Sequence, residues 1–244
     1  MELRDKVALV TGAGKRVGRA LALALAERGA TLAVHYNETA KGAQEVVDAI
    51  AGGTRGRAQA FGGDLTRAEE PSRLIQRVVD AYGTLDVLVN SAALMARTPF
   101  GTVDPADWDR MFALNLRAPF LLSQAAAPHL KRSRGVIINI ADLSAFETWP
   151  AYIPHGLTKS GVVHLTRSLA HVLAPEVRVN GIAPGTVLLP ENFSAAEAEH
   201  LRTTTPLQRQ GTPGDVASAM LFLLDAEYIT GETIIVDGGR HVRR

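Results

Sequence analysis

The chain has 244 residues, of which 46% are hydrophobic and 21% are charged, with a formal net charge of +1 and no cysteine. Its length suits one domain with a sizeable core, 1–244, and its near-zero charge indicates neither a nucleic-acid nor a membrane partner. Without cysteine there are no disulfides and no thiolate chemistry. The histidines form no metal-type cluster and the first predicted strand follows no apolar leader, so we expect a cytoplasmic protein without a metal centre.

Short apolar runs alternate with helical patterns along the whole chain. Most of the strand-like runs are rich in Val, Ile and Leu, as expected for strands buried on both faces. The pattern predicts an α/β fold, a Rossmann-type doubly wound parallel sheet of about seven strands with helices on both faces. Only the stretch 186–212 is long, polar and irregular enough to predict a flap beside a site. The predicted elements begin with strand 6–12, helix 16–29, strand 31–36 and helix 40–53, and they end with a strand at 232–239.

A glycine-rich turn, TGAGKRVGR, joins the first predicted strand to the first helix. Gly12 and Gly18 fit a tight turn and a close helix–strand contact, and the helix start can present backbone N–H groups to a pyrophosphate. Arg16 stands where a GxxxGxG turn would have its middle glycine, and Lys15 precedes it. Two cations beside a phosphate cradle favour a cofactor with an additional phosphate.

The end of the second predicted strand supports the same cofactor. An acidic residue there would bind a free ribose 2′-hydroxyl, but the sequence HYNE places Glu38 one residue beyond the expected position. The residues that come first are neutral or basic, and they are His35, Tyr36 and Asn37. This pattern predicts NADP(H) rather than NAD(H).

Several further motifs occur in a fixed order, and with them the chain resembles the short-chain dehydrogenase/reductase family along its whole length. They are TGAGKRVG, Asp64–Leu65, NSAA (90–93), Asn115 in ALNLRAPF, VNGIAPG (179–185), PLQRQGTPGDVA (206–217) and ITGETIIVDGG (229–239). Taken together, turn and resemblance predict an NADP(H) site formed by Gly12, Lys15, Arg16, Val17, Gly18, His35, Tyr36, Asn37, Asp64, Leu65, Asn90, Ser91, Ala92, Lys159, Pro184 and Gly185.

Within that family the chain looks like the pteridine reductase branch. The TGxxxRxG turn, the HY pair and Asp142 in NIAD, where most members carry a serine, are similar to that branch. The resemblance implies reduction of pterins or folates with NADPH. Met95, however, stands where a pterin-stacking phenylalanine would be expected, and a methionine lacks a rigid aromatic face.

The stretch WPAYIPHGLTKSGVVHLTRSLA (149–170) carries the candidate catalytic face. Tyr152, His155 and Lys159 are three, four and seven positions apart, so a helix places them on one side. The family's tyrosine and lysine lie four apart, and Lys159 therefore puts His155 in the tyrosine position. The resemblance implies Asn115, Asp142, His155 and Lys159 around the nicotinamide, with Tyr152 as a relay or a pocket wall.

The histidine leaves two functions open. Imidazole has a reference pKa near 6.5, so His155 is a competent acid or base, and the chain is then a reductase acting on a carbonyl or imine, with a pterin as one candidate. The alternative is a catalytically impaired NADP-binding sensor or scaffold. The family resemblance also implies a homo-oligomer, dimer or tetramer, through the long helices near 105–131 and 154–173, and a small-molecule substrate.

Overall fold

The seven strands in the part of the chain that the structure describes all pair in parallel, and the predicted Rossmann-type doubly wound sheet is confirmed. In the computed structural model, which describes residues 1–53, 56–188 and 194–242, they form one sheet in the order β3-β2-β1-β4-β5-β6-β7. The strands are β1 Val7–Val10, β2 Thr31–Tyr36, β3 Ala58–Gly62, β4 Val87–Asn90, β5 Val136–Ile140, β6 Arg178–Pro184 and β7 Thr233–Val236.

The strand order reverses beside β1, which lies between β2 and β4. Leu9 in β1 is in register with Ala33 on one side and with Leu88 on the other. In open parallel sheets, the crevice beyond the carboxyl ends of the strands at such a reversal is the usual ligand site. The topology therefore places the glycine-rich turn, which follows β1, at the mouth of a crevice.

Helices cover both faces of this sheet. They are α1 Arg16–Glu27, α2 Ala40–Gly53, α3 Glu70–Tyr82, α4 Pro105–Phe112, α5 Ala118–Ser133, α6 Ile153–Leu173, α7 Ala195–Thr204 and α8 Pro213–Asp225. Alternate residues of β1 enter separate cores: Ala8 and Val10 pack with α1, α2 and α8, whereas Val7 and Leu9 pack with α3, α5 and α6. Both faces of β1 are buried, as its unbroken apolar sequence predicts.

A π-helical turn, Ala113–Arg117, joins α4 to α5. The sequence predicts one continuous helix near 105–131, and the π-helical turn interrupts it. Such turns are rare and occur often at functional sites. Here the turn carries Asn115, whose side chain is buried.

The stretch 186–212 is not irregular throughout, contrary to the sequence prediction, because it contains α7. Ser194 and Glu197 form a reciprocal capping box at the start of this helix, an arrangement that satisfies free backbone N–H groups. Residues 189–193 of the predicted flap lie outside the described residues. Among the described helices, none has the length and apolar character needed to cross a membrane.

Candidate active site

A cavity of about 750 Å³ opens at the carboxyl edge of the sheet. It extends from the turn after β1 to the loops that follow β4, β5 and β6. We call it the cleft. Its walls include thirteen of the residues predicted to bind the cofactor: Gly12, Lys15, Arg16, Val17, Gly18, His35, Asn37, Asp64, Leu65, Ser91, Ala92, Pro184 and Gly185. Lys159, predicted for both cofactor and catalysis, also lines it.

Glycine is required at two points of the turn after β1. Gly12 has φ +66°, in the left-handed region, and a Cβ built on it would lie 2.9 Å from the Cα of Ala92. A Cβ on Gly18 would collide with the carbonyl oxygen of Gly12. The turn can therefore lie against the β4 loop and the start of α1 only because side chains are absent.

Arg16 occupies a backbone conformation that normally selects glycine. Its φ is +54° although it is the first residue of α1, and the left-handed conformation costs a residue with a side chain roughly 1–2 kcal/mol. The arginine side chain lines the cleft together with Lys15. Strain of this kind at a site, held by the surrounding fold, is a pointer to function.

The end of β2 differs from the sequence prediction. His35 is buried, and its Nδ1 accepts a hydrogen bond from the Gly12 N–H at 3.2 Å while its Nε2–H donates to the Gly63 carbonyl at 3.0 Å. Burial lowers the pKa of His35 to about 4, so the ring is neutral and supplies no positive charge for a phosphate. His35 instead holds the glycine turn against the loop after β3.

Tyr36, unlike His35, does not line the cleft, and its ring lies beside Gly62. After His35, the residues of this segment that line the cleft are Asn37, Glu38 and Thr39. The cleft is also lined by two cationic residues of the glycine turn, Lys15 and Arg16.

Asp64 and its neighbours form the wall after β3. The Asp64 carboxylate accepts hydrogen bonds from the Thr66 hydroxyl at 2.7 Å and the Thr66 N–H at 3.0 Å. The hydroxyl hydrogen bond is the largest of the effects that lower the pKa of Asp64, to which Arg110 contributes through its charge. Asp64 is thus ionised and fixed at the edge of the cleft.

The loop after β4 is held by a residue that the predicted site does not include. Thr11 Oγ1 accepts the N–H groups of Ser91 and Ala92 at 2.9 and 3.0 Å. Asn90, which was expected at the cofactor, lies behind the wall, where its Nδ2 donates to Asn139 Oδ1 at 2.8 Å. Asn90 therefore supports the sheet and does not line the cleft.

The other end of the cleft follows β6. Pro184, Gly185 and Thr186 line it, and a Cβ on Gly185 would lie 2.7 Å from the Cβ of Asp237. Arg240, from the short turn after β7, also lines the cleft and donates from Nη1 to Thr186 Oγ1 at 3.3 Å. Nothing in the sequence pattern predicted this arginine at the site.

The helix α6 brings the predicted catalytic residues together. Tyr152 is its N-cap, and Tyr152, His155 and Lys159 all line the cleft. The Lys159 ammonium is buried and donates to the Ile140 carbonyl at 2.9 Å. Burial lowers the pKa of Lys159 to about 8, and the negative charge of Asp142 opposes that shift.

The His155 ring is buried and stands beside Asp142. Its Nδ1–H donates to the Leu94 carbonyl at 3.2 Å, and its Nε2 lies 3.8 Å from Asp142 Oδ1. Burial is the main cause that lowers the pKa of His155, followed by the charge of Lys159, while Asp142 and the Leu94 carbonyl act in the opposite direction. The ring is therefore mainly neutral at neutral pH.

Asn115 does not line the cleft, although it was predicted among the catalytic residues. Its Oδ1 accepts the Leu94 N–H at 2.8 Å, and its Nδ2 donates to the Leu94 carbonyl at 2.8 Å and to Thr158 Oγ1 at 3.1 Å. Asn115 is thus a positioning residue, which fixes the carbonyl that in turn orients His155.

The outer part of the cleft has an aromatic wall. Trp149 meets Tyr152 edge to face, with ring centroids 6.2 Å apart, and donates from Nε1 to Glu147 at 3.0 Å. Met95 lines the same part and is half exposed. Flat apolar surfaces at this end suit a ring-shaped or extended apolar ligand.

Known proteins share this architecture. Residues 12–241 match the family model described as enoyl-(acyl carrier protein) reductase. The 3-oxoacyl-[acyl-carrier-protein] reductase FabG of Staphylococcus aureus is 36% identical over 244 residues, covering 97% of this chain and 98% of that protein. The hydroxynaphthalene reductase-like protein Arp2 of Metarhizium anisopliae is 35% identical over 255 residues, covering 97% and 95%.

A solved structure from Sinorhizobium meliloti 1021, provisionally classed as a short-chain alcohol dehydrogenase, superposes with a TM-score of 0.93 at 33% identity, covering 100% of this chain and 99% of that one. The fold is that of a family of oxidoreductases whose members use nicotinamide cofactors. The chain belongs to the short-chain dehydrogenase/reductase family, and its relatives support an enzyme of the reductase type.

Proposed function

We propose that the chain is an NADPH-dependent reductase of a ketone, with His155 holding the proton at the reacting oxygen. The observation that carries this proposal is the convergence of His155, Asp142 and Lys159 in the cleft whose far end is the glycine turn. A titratable ring, a carboxylate and a buried ammonium around one cavity are the groups that proton transfer requires.

The cleft fits a dinucleotide. Its glycine turn lines one end of the cleft through Gly12 and Gly18, at the start of α1, where backbone N–H groups can hold a pyrophosphate. Lys15 and Arg16 would hold phosphate at that end, Lys159 would hold ribose hydroxyls, and Pro184 and Gly185 would border the nicotinamide. When bound, NADPH supplies a hydride to the substrate carbon.

The residues of the chain then manage the proton. Protonated His155 can donate from Nε2, the ring atom on the Asp142 side, while the Leu94 carbonyl keeps the ring oriented through Nδ1. The carboxylate of Asp142 stabilises the imidazolium. Burial, and after it the charge of Lys159, opposes protonation and lowers the pKa of His155 below its ordinary value.

The relatives favour ketones as substrates. A 3-oxoacyl reductase and a hydroxynaphthalene reductase-like protein are among them, and the aromatic wall of Trp149 and Tyr152 suits ring compounds. Dihydropterins belong in the same panel on the strength of the TGxxxRxG turn and Asp142. The test is the oxidation of NADPH by the parent chain with 3-oxoacyl thioesters, bicyclic aromatic ketones and dihydropterins.

Turnover of any of these classes supports a reductase, and the class turned over identifies the substrate. NADPH binding without turnover across the panel would instead support the sensor or scaffold. That alternative is favoured by one observation, the histidine in the tyrosine position.

We expect NADPH to bind more tightly than NADH, and Arg16→Ala to weaken NADPH by about tenfold while changing NADH little. The physical reason is a charge-assisted contact between the guanidinium and the additional phosphate, of about 1.5 kcal/mol or more. Isothermal titration of both cofactors measures the two dissociation constants.

The matched control is Arg19→Ala, which removes an exposed arginine of the same helix that pairs with Glu45 outside the cleft. Because alanine at position 16 keeps a Cβ, the variant tests the charge without relieving the backbone strain. Equal dissociation constants for NADPH and NADH in the parent chain would contradict the proposal, and tighter binding of NADH would assign the selection to Glu38.

The remaining expectations rest on sequence and surface together. We infer that 1–244 forms one domain, that the protein is cytoplasmic, and that it is a dimer or tetramer. Exposed apolar side chains on three helices support the oligomer: Trp108 on α4, Phe120 on α5, and Ile153 and Leu157 on α6.

A further inference from the structure

The Nε2 atom of His155 is buried and has no hydrogen-bond partner among the described residues. The side chain is 3% exposed, and it lines the cleft. A buried polar atom without a hydrogen-bond partner costs folding free energy. When such an atom borders a ligand cavity, a bound ligand can supply the missing hydrogen bond. The chemistry of that missing partner can be read from the hydrogen bonds around the ring.

The hydrogen bonds fix which nitrogen carries the proton. The Leu94 carbonyl beside Nδ1 only accepts, so Nδ1 must be the donor. Asn115 Nδ2 also lies 3.5 Å from Nδ1, but its two protons already go to the Leu94 carbonyl and to Thr158. The neutral ring therefore has a lone pair on Nε2.

The carboxylate of Asp142, on the Nε2 side of the ring, is also an acceptor. Asp142 Oδ1 lies 3.8 Å from Nε2, beyond hydrogen-bond distance, and it already accepts the Ser144 N–H at 2.8 Å. A ketone oxygen placed here would meet two acceptors. A hydroxyl oxygen placed beside the pair can instead donate its proton to Nε2 at about 2.8 Å.

The charged groups that act on the ring are Asp142, after β5, and Lys159, on the same helix. Asn115 and the Leu94 carbonyl contact it from the π turn and the β4 loop, and both are neutral. The Tyr152 phenol lines the same cavity. Burial keeps the ring neutral, in agreement with the tautomer that the hydrogen bonds require.

We propose that His155 and Asp142 form a hydroxyl clamp, in which Nε2 accepts the proton of a ligand hydroxyl and Asp142 disfavours a ligand that offers only an acceptor. The proposal rests on the proposed function, because a hydroxyl is the group that reduction of a ketone produces. It assigns a ligand class to the resting site, namely ring compounds bearing a hydroxyl. The chain is thereby set to bind its own product more tightly than its substrate.

The experiment uses two probes that cannot be turned over. 1-Naphthol carries the hydroxyl, and 1-fluoronaphthalene has nearly the same shape without a donor. Calorimetric titration of both into the NADPH-saturated chain at pH 8 should give at least about tenfold tighter binding of 1-naphthol, the effect of one well-placed hydrogen bond to a buried acceptor. In His155→Phe the preference should fall below about threefold, with 1-fluoronaphthalene and NADPH bound as in the parent.

Glu147→Gln is the matched control, since Glu147 contacts Trp149 and does not face His155; it should keep the hydroxyl preference. Equal binding of the two probes by a parent chain that reduces ketones would overturn the clamp and leave the proposed function standing. A hydroxyl preference that persists in His155→Phe would also overturn it, by placing the contact elsewhere. Failure to bind either probe, together with no ketone reduction, would overturn both proposals.

Discussion

His155→Phe should lower the rate of ketone reduction by about 10²–10⁴-fold, the usual contribution of a positioned acid. Phenylalanine keeps the flat ring in its buried position but has no nitrogen to carry a proton. The groups that would hold NADPH, which are the glycine turn and the Lys159 ammonium, do not depend on the imidazole. The affinity for NADPH should therefore be almost unchanged while turnover is lost, as measured by titration and by NADPH oxidation.

Two further variants make this result specific. His164→Phe replaces an exposed histidine on the same helix and should leave the rate unchanged. His155→Tyr introduces the phenol that the family usually has at this position, and we expect it to retain or raise the rate. If His155→Phe reduces the substrate as fast as the parent, the histidine is a bystander, and Asp142, Tyr152 or a water molecule must supply the proton.

Acid should destabilise the fold through His35 by about 3 kcal/mol between pH 6.5 and pH 4. The pKa of the buried ring is lowered to about 4, whereas an unfolded chain has the ordinary value of 6.5. Above pH 6.5 neither state binds the proton, so His35 adds no pH dependence there. Between the two values only the unfolded state binds it, so stability falls by about 1.4 kcal/mol per pH unit and the effect levels off below pH 4.

Urea unfolding at pH 8, 6.5, 5 and 4 measures this effect. His35→Asn can retain an acceptor for the Gly12 N–H but does not titrate, so its stability should fall less steeply on acidification than that of the parent. It should be less stable than the parent at pH 8, because the hydrogen bond to the Gly63 carbonyl is lost. His200→Asn, which removes an exposed histidine of α7, should follow the parent curve. If the free energy of unfolding of His35→Asn falls as steeply between pH 6.5 and pH 4 as that of the parent, groups other than His35 cause the loss of stability in acid.

Local sequence patterns predicted the features of this molecule that depend on neighbours along the chain. The alternation of apolar runs with helical patterns predicted the parallel sheet, which is confirmed. The spacing of Tyr152, His155 and Lys159 predicted one helical face, because residues three and four apart on a helix are adjacent. The tight turn at Gly12 and the close contact at Gly18 were likewise predicted from the position of the two glycines between the first strand and the first helix.

Features that depend on contacts between distant segments could not be read in this way. His35 follows an apolar strand and was expected beside a phosphate, but its nitrogens bond to Gly12 and Gly63 across the sheet edge. Asn115 matched a catalytic position, yet the π turn directs it to Leu94. The tautomer of His155 is set by that same carbonyl, which lies 61 positions away in the chain.

The pH dependence of ketone reduction by the parent chain, at saturating NADPH, tests most directly the claim that His155 carries the proton. The rate should rise as the pH falls through the pKa of His155, which burial and Lys159 place below 6.5, and then level off. In His155→Tyr the same transition should move toward the higher pKa of a phenol. A rate that does not change with pH in the parent, or NADPH binding without reduction by either the parent or His155→Tyr, would contradict the claim.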